Sequence, residues 1–391
     1  MKKRLLAIIA GFCCLIFLAG ISMAAEEAVS QKAAGEEVSQ KDIESVVKAL
    51  KGIKFGLLWY LSYMNGEGAD VGGTAGDGVD RNKFAIKRGY FRFTKEGLIK
   101  PWFDAHMTFD VTQTSIKDSK LSDSIVVRIK YAYGKFNLPD LAFLTKPNLE
   151  VGVAHMPWLD YEEHTNYYRL QDTMFIERNG IFNSADIGIL FSSLLGGEMS
   201  ADYKKNVNSA YAGRYGSVQA GIFNGGGYAA SEKNENKVVE GRLTIRPLPD
   251  IIPGLQLTYF GLTGKGNTDP EKDWTTNLAF ASFEHEYVVL TGQYYWGKGK
   301  QNGDDENKKK GYSFFAEIKP IDKFTVIGRY DHFDPNKDVS DDENNRYIVG
   351  AAYHLDKLHN NMVLLDYDHV DYKASGKKDD HRVQLTLQVA L

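Results

Sequence analysis

The last ten residues, Arg382-Val-Gln-Leu-Thr-Leu-Gln-Val-Ala-Leu391, alternate almost without a break between polar and apolar side chains. Successive residues of an extended strand face opposite sides. Val383, Leu385, Leu387, Val389 and Leu391 therefore share one face, and Arg382, Gln384, Thr386 and Gln388 share the other. A wall with lipid on one side and water on the other has this pattern, and Pro101 to Val111 repeats it. A strand needs roughly 9–11 residues to cross a bilayer, whereas a helix needs an unbroken run of about 18 or more apolar residues. No such run follows the first 24 residues. The expected fold is all-β, a transmembrane antiparallel β-barrel.

Segments of this kind fall near 53–64, 83–95, 100–113, 123–136, 148–156, 184–199, 209–223, 237–248, 254–264, 274–285, 287–298, 311–319, 322–333, 345–356, 361–373 and 380–391. They number sixteen, and an even count brings both ends of a barrel to the same side of the membrane. The connections come in two kinds. Glu96-Gly-Leu-Ile99, Glu284-His-Glu286, Lys319-Pro-Ile321 and Asp356 to Asn360 are short, while Gly66 to Asp80, Gly225 to Asn236, Lys298 to Lys310 and Asp334 to Asn344 are long, and acidic or glycine-rich. Short turns on one side and long loops on the other belong to this class of barrel. The third loop, Trp158 to Asn183, is the longest and carries aromatic residues. A structureless connection of that length is usually functional, and its apolar content implies that it folds inward and narrows the pore.

The chain opens on Met1-Lys-Lys-Arg4, an apolar run from Leu5 to Ile21 and Ser22-Met23-Ala24. That is the form of a secretory signal peptide cut after Ala24. Residues 25–52 then form a leader on the periplasmic side, either a short helix where Ile43, Val46, Val47 and Leu50 recur or a loosely ordered stretch, and 53–391 form the barrel. The signal contains both cysteines, Cys13 and Cys14, and three of the 47 basic residues, so the remainder has 44 basic against 51 acidic residues, a formal charge of −7. Nucleic-acid binding needs a concentrated basic surface and is disfavoured. Thiolate metal sites and disulfides are excluded from the mature chain. No Gly-x-x-x-x-Gly-Lys-Ser/Thr phosphate loop or His-Glu-x-x-His pair occurs, so no cofactor, metal site or catalytic residue is expected. Gly225-Gly-Gly227 reads as a loop hinge. His155 and His164 flank the start of the third loop, and Asp334 to Asn345 lacks the glycine and glutamate of a calcium loop.

Alternation assigns an inward face. The candidate pore-lining cations are Arg88, Arg92, Arg128, Lys130, Arg242, Arg246, Arg329 and Arg346, with Arg382 at the end of the chain. Facing them are Asp104, Asp110, Asp186, Glu240, Glu317, Asp331, Asp366 and Asp368. The candidate constriction residues of the third loop are Tyr161, Glu162, Glu163, Tyr167, Tyr168 and Arg169. Arg128 with Lys130, and Arg242 with Arg246, are the best local basic pairs. Trp59, Tyr60, Tyr259, Tyr294, Trp296, Tyr347 and Tyr353 fit interfacial girdles.

Val151-Gly-Val-Ala-His-Met-Pro157, Met174-Phe-Ile-Glu-Arg178, Asp186-Ile-Gly188, Gly221-Ile-Phe-Asn-Gly225 and Arg242-Leu-Thr-Ile-Arg-Pro247, in that order and spacing, resemble the phosphate-selective porin O and P family. The resemblance spans roughly residues 53–391. It implies a sixteen-stranded outer-membrane barrel, a homotrimer, and a third loop folded into the lumen. The chain departs from that family at Leu391, where such barrels close on an aromatic, and in having no residue-by-residue counterpart of its dense basic ladder. The implied function is a porin in the outer membrane of a Gram-negative-type bacterium, set among lipid and lipopolysaccharide and passing small ions or anionic solutes with a modest anion preference. Two alternatives come from other classes: a barrel sheathing a periplasmic or multihaem cytochrome partner, and an outer-membrane barrel enzyme.

Overall fold

The computed structural model describes residue 44 and residues 51–68, 80–113, 124–356 and 360–391. The signal-peptide reading and nearly all of the leader lie outside the described residues. Sixteen strands follow one another: β1 (Ile53–Glu67), β2 (Asp80–Ile99), β3 (Phe103–Gln113), β4 (Ile125–Asn137), β5 (Leu144–His155), β6 (Ala185–Leu195), β7 (Gly216–Phe223), β8 (Val238–Ile245), β9 (Leu255–Lys265), β10 (Asp273–His285), β11 (Val288–Lys298), β12 (Lys308–Ile321), β13 (Phe324–Asp334), β14 (Asn344–His354), β15 (Met362–Tyr372) and β16 (Asp380–Ala390). Each overlaps one expected segment. Every strand pairs antiparallel with its sequence neighbours, and β1 closes the ring on β16. Closure leaves no edge, as hydrocarbon requires, because unpaired backbone groups find no water there. At the seam Leu58 faces Ala390 and Leu61 faces Leu387. The backbones of Leu57 and Leu391 exchange hydrogen bonds of 3.0 and 3.1 Å, so the final leucine completes the ring through its main chain.

The alternation read from the last strand holds. Gln384, Thr386 and Gln388 are buried within the barrel, while Val383 and Leu385 are each 48% exposed on its outer wall. Tyr259, Tyr294, Trp296, Tyr347 and Tyr353 lie on that outer wall too, but Tyr60 is only 5% exposed and faces inward.

Several boundaries differ from the expected ones. β2 continues through Glu96 to Ile99 and turns at 100–102, with a register shift between Lys95 and Ile99. The segment expected at 209–223 becomes a strand only from Gly216. The chain before it, 196–215, is a folded connection whose short helix Ala201–Asn206 is capped by Ser200.

Two bulges matter most for the interior. Between β1 and β2 the register passes from Tyr60 opposite Arg88 to Leu61 opposite Ile86, leaving Lys87 unmatched. Between β3 and β4 it passes from Thr108 opposite Tyr131 to Phe109 opposite Ile129, leaving Lys130 unmatched. A bulge adds one residue and resets the alternation. Lys87 and Arg88 consequently both face the lumen, as do Lys130 and Tyr131.

If the outer face meets lipid, a charge at mid-strand should be costly there. Leu385→Lys is expected to destabilise the bilayer-inserted barrel by about 2–4 kcal/mol, measured by denaturant unfolding from lipid vesicles.

Candidate functional site

Loop three, residues 156–184, enters the barrel and carries two short helices, α1 (Leu159–Glu163) and α2 (Phe175–Arg178). Its apolar side chains supply the reason. Trp158, Leu159, Phe175, Ile176, Ile181 and Phe182 pack against Phe260, Leu262, Trp274, Leu278, Phe280, Tyr295 and Phe333 of β9–β11 and β13, forming the largest buried apolar cluster. Trp158 meets Phe280 edge-on at 5.3 Å between ring centroids. Burial of one such side chain is worth roughly 1.5–3 kcal/mol, so the loop is held to this wall rather than released into water.

Its far end is held by charge and hydrogen bonds. The Lys87 ammonium donates to the carbonyl oxygens of Leu170 (3.0 Å) and Gln171 (2.9 Å) and to Gln384 Oε1 (3.0 Å). Gln384 Nε2 donates to the same Gln171 carbonyl at 2.7 Å. Asp172 pairs with Arg382 at 2.6 Å and Arg346 at 3.2 Å, and both arginines also bind Asp368. Arg178 pairs with Asp331 at 2.8 Å, and Arg329 pairs with the same carboxylate. The loop therefore packs on the inner face of β8–β13 at one end and is tied to β2, β14 and β16 at the other.

Two cavities flank it. One, of about 530 Å³, lies toward the end of the barrel that bears the long loops and includes Glu67, Asp172, Glu177, Arg346, Asp368 and Arg382 in its lining. The other, of about 460 Å³, lies toward the end that bears the short turns and includes Tyr60, Tyr90, Arg92, Lys130, Glu163 and Arg169. Between them Arg169 bonds both Glu163 and Glu177, the latter at 2.8 Å, while Arg88 lies 3.7 Å from Glu177. Burial would raise the Glu177 carboxyl, but Arg169, Arg88 and Lys130 hold it at about 2. Glu177 is therefore ionised throughout the neutral range.

Three cations converge on the Tyr90 phenol from the opposite wall. Arg88 donates to its oxygen at 3.1 Å and Lys130 at 3.2 Å, and the Arg92 guanidinium lies 5.8 Å from its ring centroid. Arg128 is next in line but forms a two-pronged pair with Asp110 at 2.7 and 3.0 Å.

The expected site residues thus divide. Arg92, Lys130, Glu163 and Arg169 line the turn-side cavity, and Arg88 lies beside Glu177 between the two cavities. Tyr167 lines the turn-side cavity and Arg346 the loop-side one. Arg242 and Arg246, expected as an open basic pair, are each 1% exposed. Arg242 lies beneath the loop, donating to the Pro157 carbonyl at 2.9 Å with its guanidinium 4.3 Å from the Tyr161 ring centroid. Arg246 bonds the Tyr203 hydroxyl of the 196–215 connection at 2.9 Å. Arg329 is covered by the loop as well, and Tyr161, Glu162 and Tyr168 lie on the loop's packed side rather than its solvent side. Burial pushes the Glu162 carboxyl up to about 7, against the pull of Arg329 and the Trp158 ring N–H. Inward parity cannot tell a lumen position from one the loop covers.

Four residues outside the expected set complete the site. Lys87 was hidden by its bulge. Tyr90 lies in the expected strand 83–95 and Glu177 in Met174 to Arg178. Tyr228 follows the three glycines and reaches back into the barrel, its hydroxyl accepting from Arg128 at 3.0 Å. Gly227 has φ +78°, and a Cβ there would stand 2.8 Å from Asn183 Nδ2, so the triplet provides a close passage for the chain rather than a free hinge. His155 and His164 do approach one another, flanking Asp160 at 3.8 and 3.5 Å; burial opposes ionisation of Asp160, yet the two rings and a bond from the Tyr211 hydroxyl keep its carboxyl well below the usual range.

No family model and no curated protein matches the chain. Solved structures of outer-membrane proteins match across most of it. The anion-selective porin from Comamonas acidovorans has a TM-score of 0.58 at 13% identity, covering 87% of this chain and 99% of that one. OmpF of Salmonella typhi, described in complex with daunomycin, has 0.57 at 13%, covering 87% and 97%. The trimer form of OmpT from Vibrio cholerae has 0.53 at 10%, covering 87% and 99%. At these identities the likeness is one of fold, that of the outer-membrane β-barrels.

Lys87→Met would remove two charge-assisted bonds to loop-three carbonyls, a loss of about 1.5–3 kcal/mol each. The loop tip is then expected to fluctuate, raising open-channel noise and mean conductance in planar bilayers. Unchanged noise and conductance would mean that Lys87 does not hold the loop.

Proposed function

We propose that the protein is an outer-membrane porin, a water-filled channel for passive diffusion of small solutes, with a modest preference for anions. The observation that carries the preference is the convergence of Arg88, Arg92 and Lys130 on Tyr90 at the narrow level, opposed there by Glu177 at 3.7 Å from Arg88. Selectivity follows the charge at the constriction, and charges act strongly where little water screens them. The overall acidity of the chain sits largely elsewhere, and the acids of the loop-side cavity are mostly paired with arginines. The carriers are therefore Arg88, Arg92 and Lys130 rather than Arg242 and Arg246. Arg128 contributes less because Asp110 neutralises it.

Phosphate preference and membership of the phosphate-selective porin O and P family are part of this reading and rest on the sequence resemblance. A homotrimer in lipid and lipopolysaccharide, with residues 1–24 removed on export, is its natural assembly. The filled lumen favours a channel over a sheath for a cytochrome or other partner, since cavities of about 530 and 460 Å³ admit small solutes and not a folded chain. It also favours a channel over an enzyme, because Arg88, Glu163, Arg169 and Glu177 are bound to one another.

Reversal potentials in asymmetric potassium chloride test the reading. The unmodified channel should favour chloride, the double variant Arg88→Gln, Lys130→Met should lose that preference, and phosphate should reduce the chloride current. Cation selectivity in the unmodified protein would refute it.

A further inference from the structure

The turn-side cavity has a second character besides charge. Four rings from three adjacent strands line it in unbroken contact. His106 of β3 stacks on Tyr133 of β4, with centroids 4.8 Å apart and planes 15° apart. Tyr133 meets His155 of β5 at 5.3 Å, and His155 meets Tyr131 at 4.2 Å and 32°. The bulge at Lys130 makes this arrangement. It turns Tyr131 and Tyr133 inward and sets the Lys130 ammonium directly beside them, 5.4 Å from the Tyr131 ring centroid.

Lys130 is 4% exposed, and its one hydrogen bond among the described residues is to the Tyr90 hydroxyl; it and Arg92 form no ion pair with a described carboxylate. In the same lining, His106 Nε2 is buried without a hydrogen-bond partner. A cation with no carboxylate bonded to it and a shelf of aromatic rings thus meet in a space of about 460 Å³.

A hydrated inorganic anion would use the cation and leave the shelf idle. An aliphatic carboxylate would do little more. A planar ring bearing a carboxylate uses both, since aromatic pairs gain beyond simple area burial and a carboxylate forms a short, strong bond to an ammonium.

Resting on the channel reading above, we propose that this cavity is a subsite for aromatic carboxylates, with Lys130 and Arg92 taking the carboxylate and the Tyr131–Tyr133 shelf taking the ring. It would be a stopping point on the diffusion path and the step at which the channel distinguishes one organic acid from another.

The test compares benzoate, cyclohexanecarboxylate and acetate as blockers of the full barrel in planar bilayers. Benzoate is expected to interrupt the chloride current at concentrations about tenfold lower than the other two. Tyr131→Leu should abolish the advantage of benzoate over cyclohexanecarboxylate, and Lys130→Met should weaken block by all three acids. Tyr347→Leu, on the outer wall, should change neither. Equal block by benzoate and cyclohexanecarboxylate in a conducting channel overturns the subsite and leaves the porin reading standing. Absence of any conductance removes the porin reading instead. In that case saturation transfer from the detergent-solubilised barrel to the ring protons of benzoate still decides the subsite: transfer lost in Lys130→Met supports it, and no transfer overturns it.

Discussion

Hydrocarbon offers no hydrogen bonds, so a strand that enters it must be paired on both edges. Everything else in this structure depends on the seam between β1 and β16 that meets this demand. Sixteen strands closed in that way enclose more space than wall side chains can fill, and barrels of this size hold water unless something occupies them. Loop three is the occupant. Its aromatic residues make the inner face of β9–β11 a packing surface, and Lys87, Arg346 and Arg382 receive its far end. What remains open is decided by which part of the wall the loop leaves bare.

Two bulges shape the wall that faces the turn-side cavity and the loop's far end. The first adds Lys87, which strict alternation would send to lipid, and the second turns Tyr131 inward beside Lys130. Lys87 binds the loop while Arg88, next to it, faces Glu177 of the loop; Lys130 and Tyr131 form a similar adjacent pair. Positive charge therefore lies on one side of the narrow level, and the loop brings Glu163 and Glu177 to the other, with Arg169 bound between them. On the channel reading, a solute crossing this level passes between opposed charges rather than through a ring of one sign.

The fold was legible because its signal is local. Alternation along Val383 to Leu391 and the contrast between short and long connections need no knowledge of distant parts of the chain, and the structure agrees with both except between β6 and β7, where the folded connection 196–215 lies on the side of the short turns. The site was legible only in part. Inward parity found Arg88, Arg92 and Lys130, but it grouped them with Arg242, Arg246 and Arg329, which loop three and the 196–215 connection cover. Whether an inward residue meets water is a question of tertiary packing, which residue order alone does not answer. Lys87 was lost to a register shift that no residue in the sequence announces. Tyr228 could have been found, since three glycines before an aromatic ring in a loop signal a tight return of the chain.

The central claim is that solutes pass between loop three and the Arg88 wall, with Arg242 sealed from that path. No cysteine occurs after Cys14, so a single introduced thiol can report on it. Cysteine is placed at one position at a time as R88C or R242C, and a charged methanethiosulfonate reagent is added while single-channel current is recorded. Modification of R88C should reduce the current promptly, and R242C should stay silent. A silent R88C, or an R242C that reacts and blocks as readily, would put the path on the other side of loop three and contradict the account.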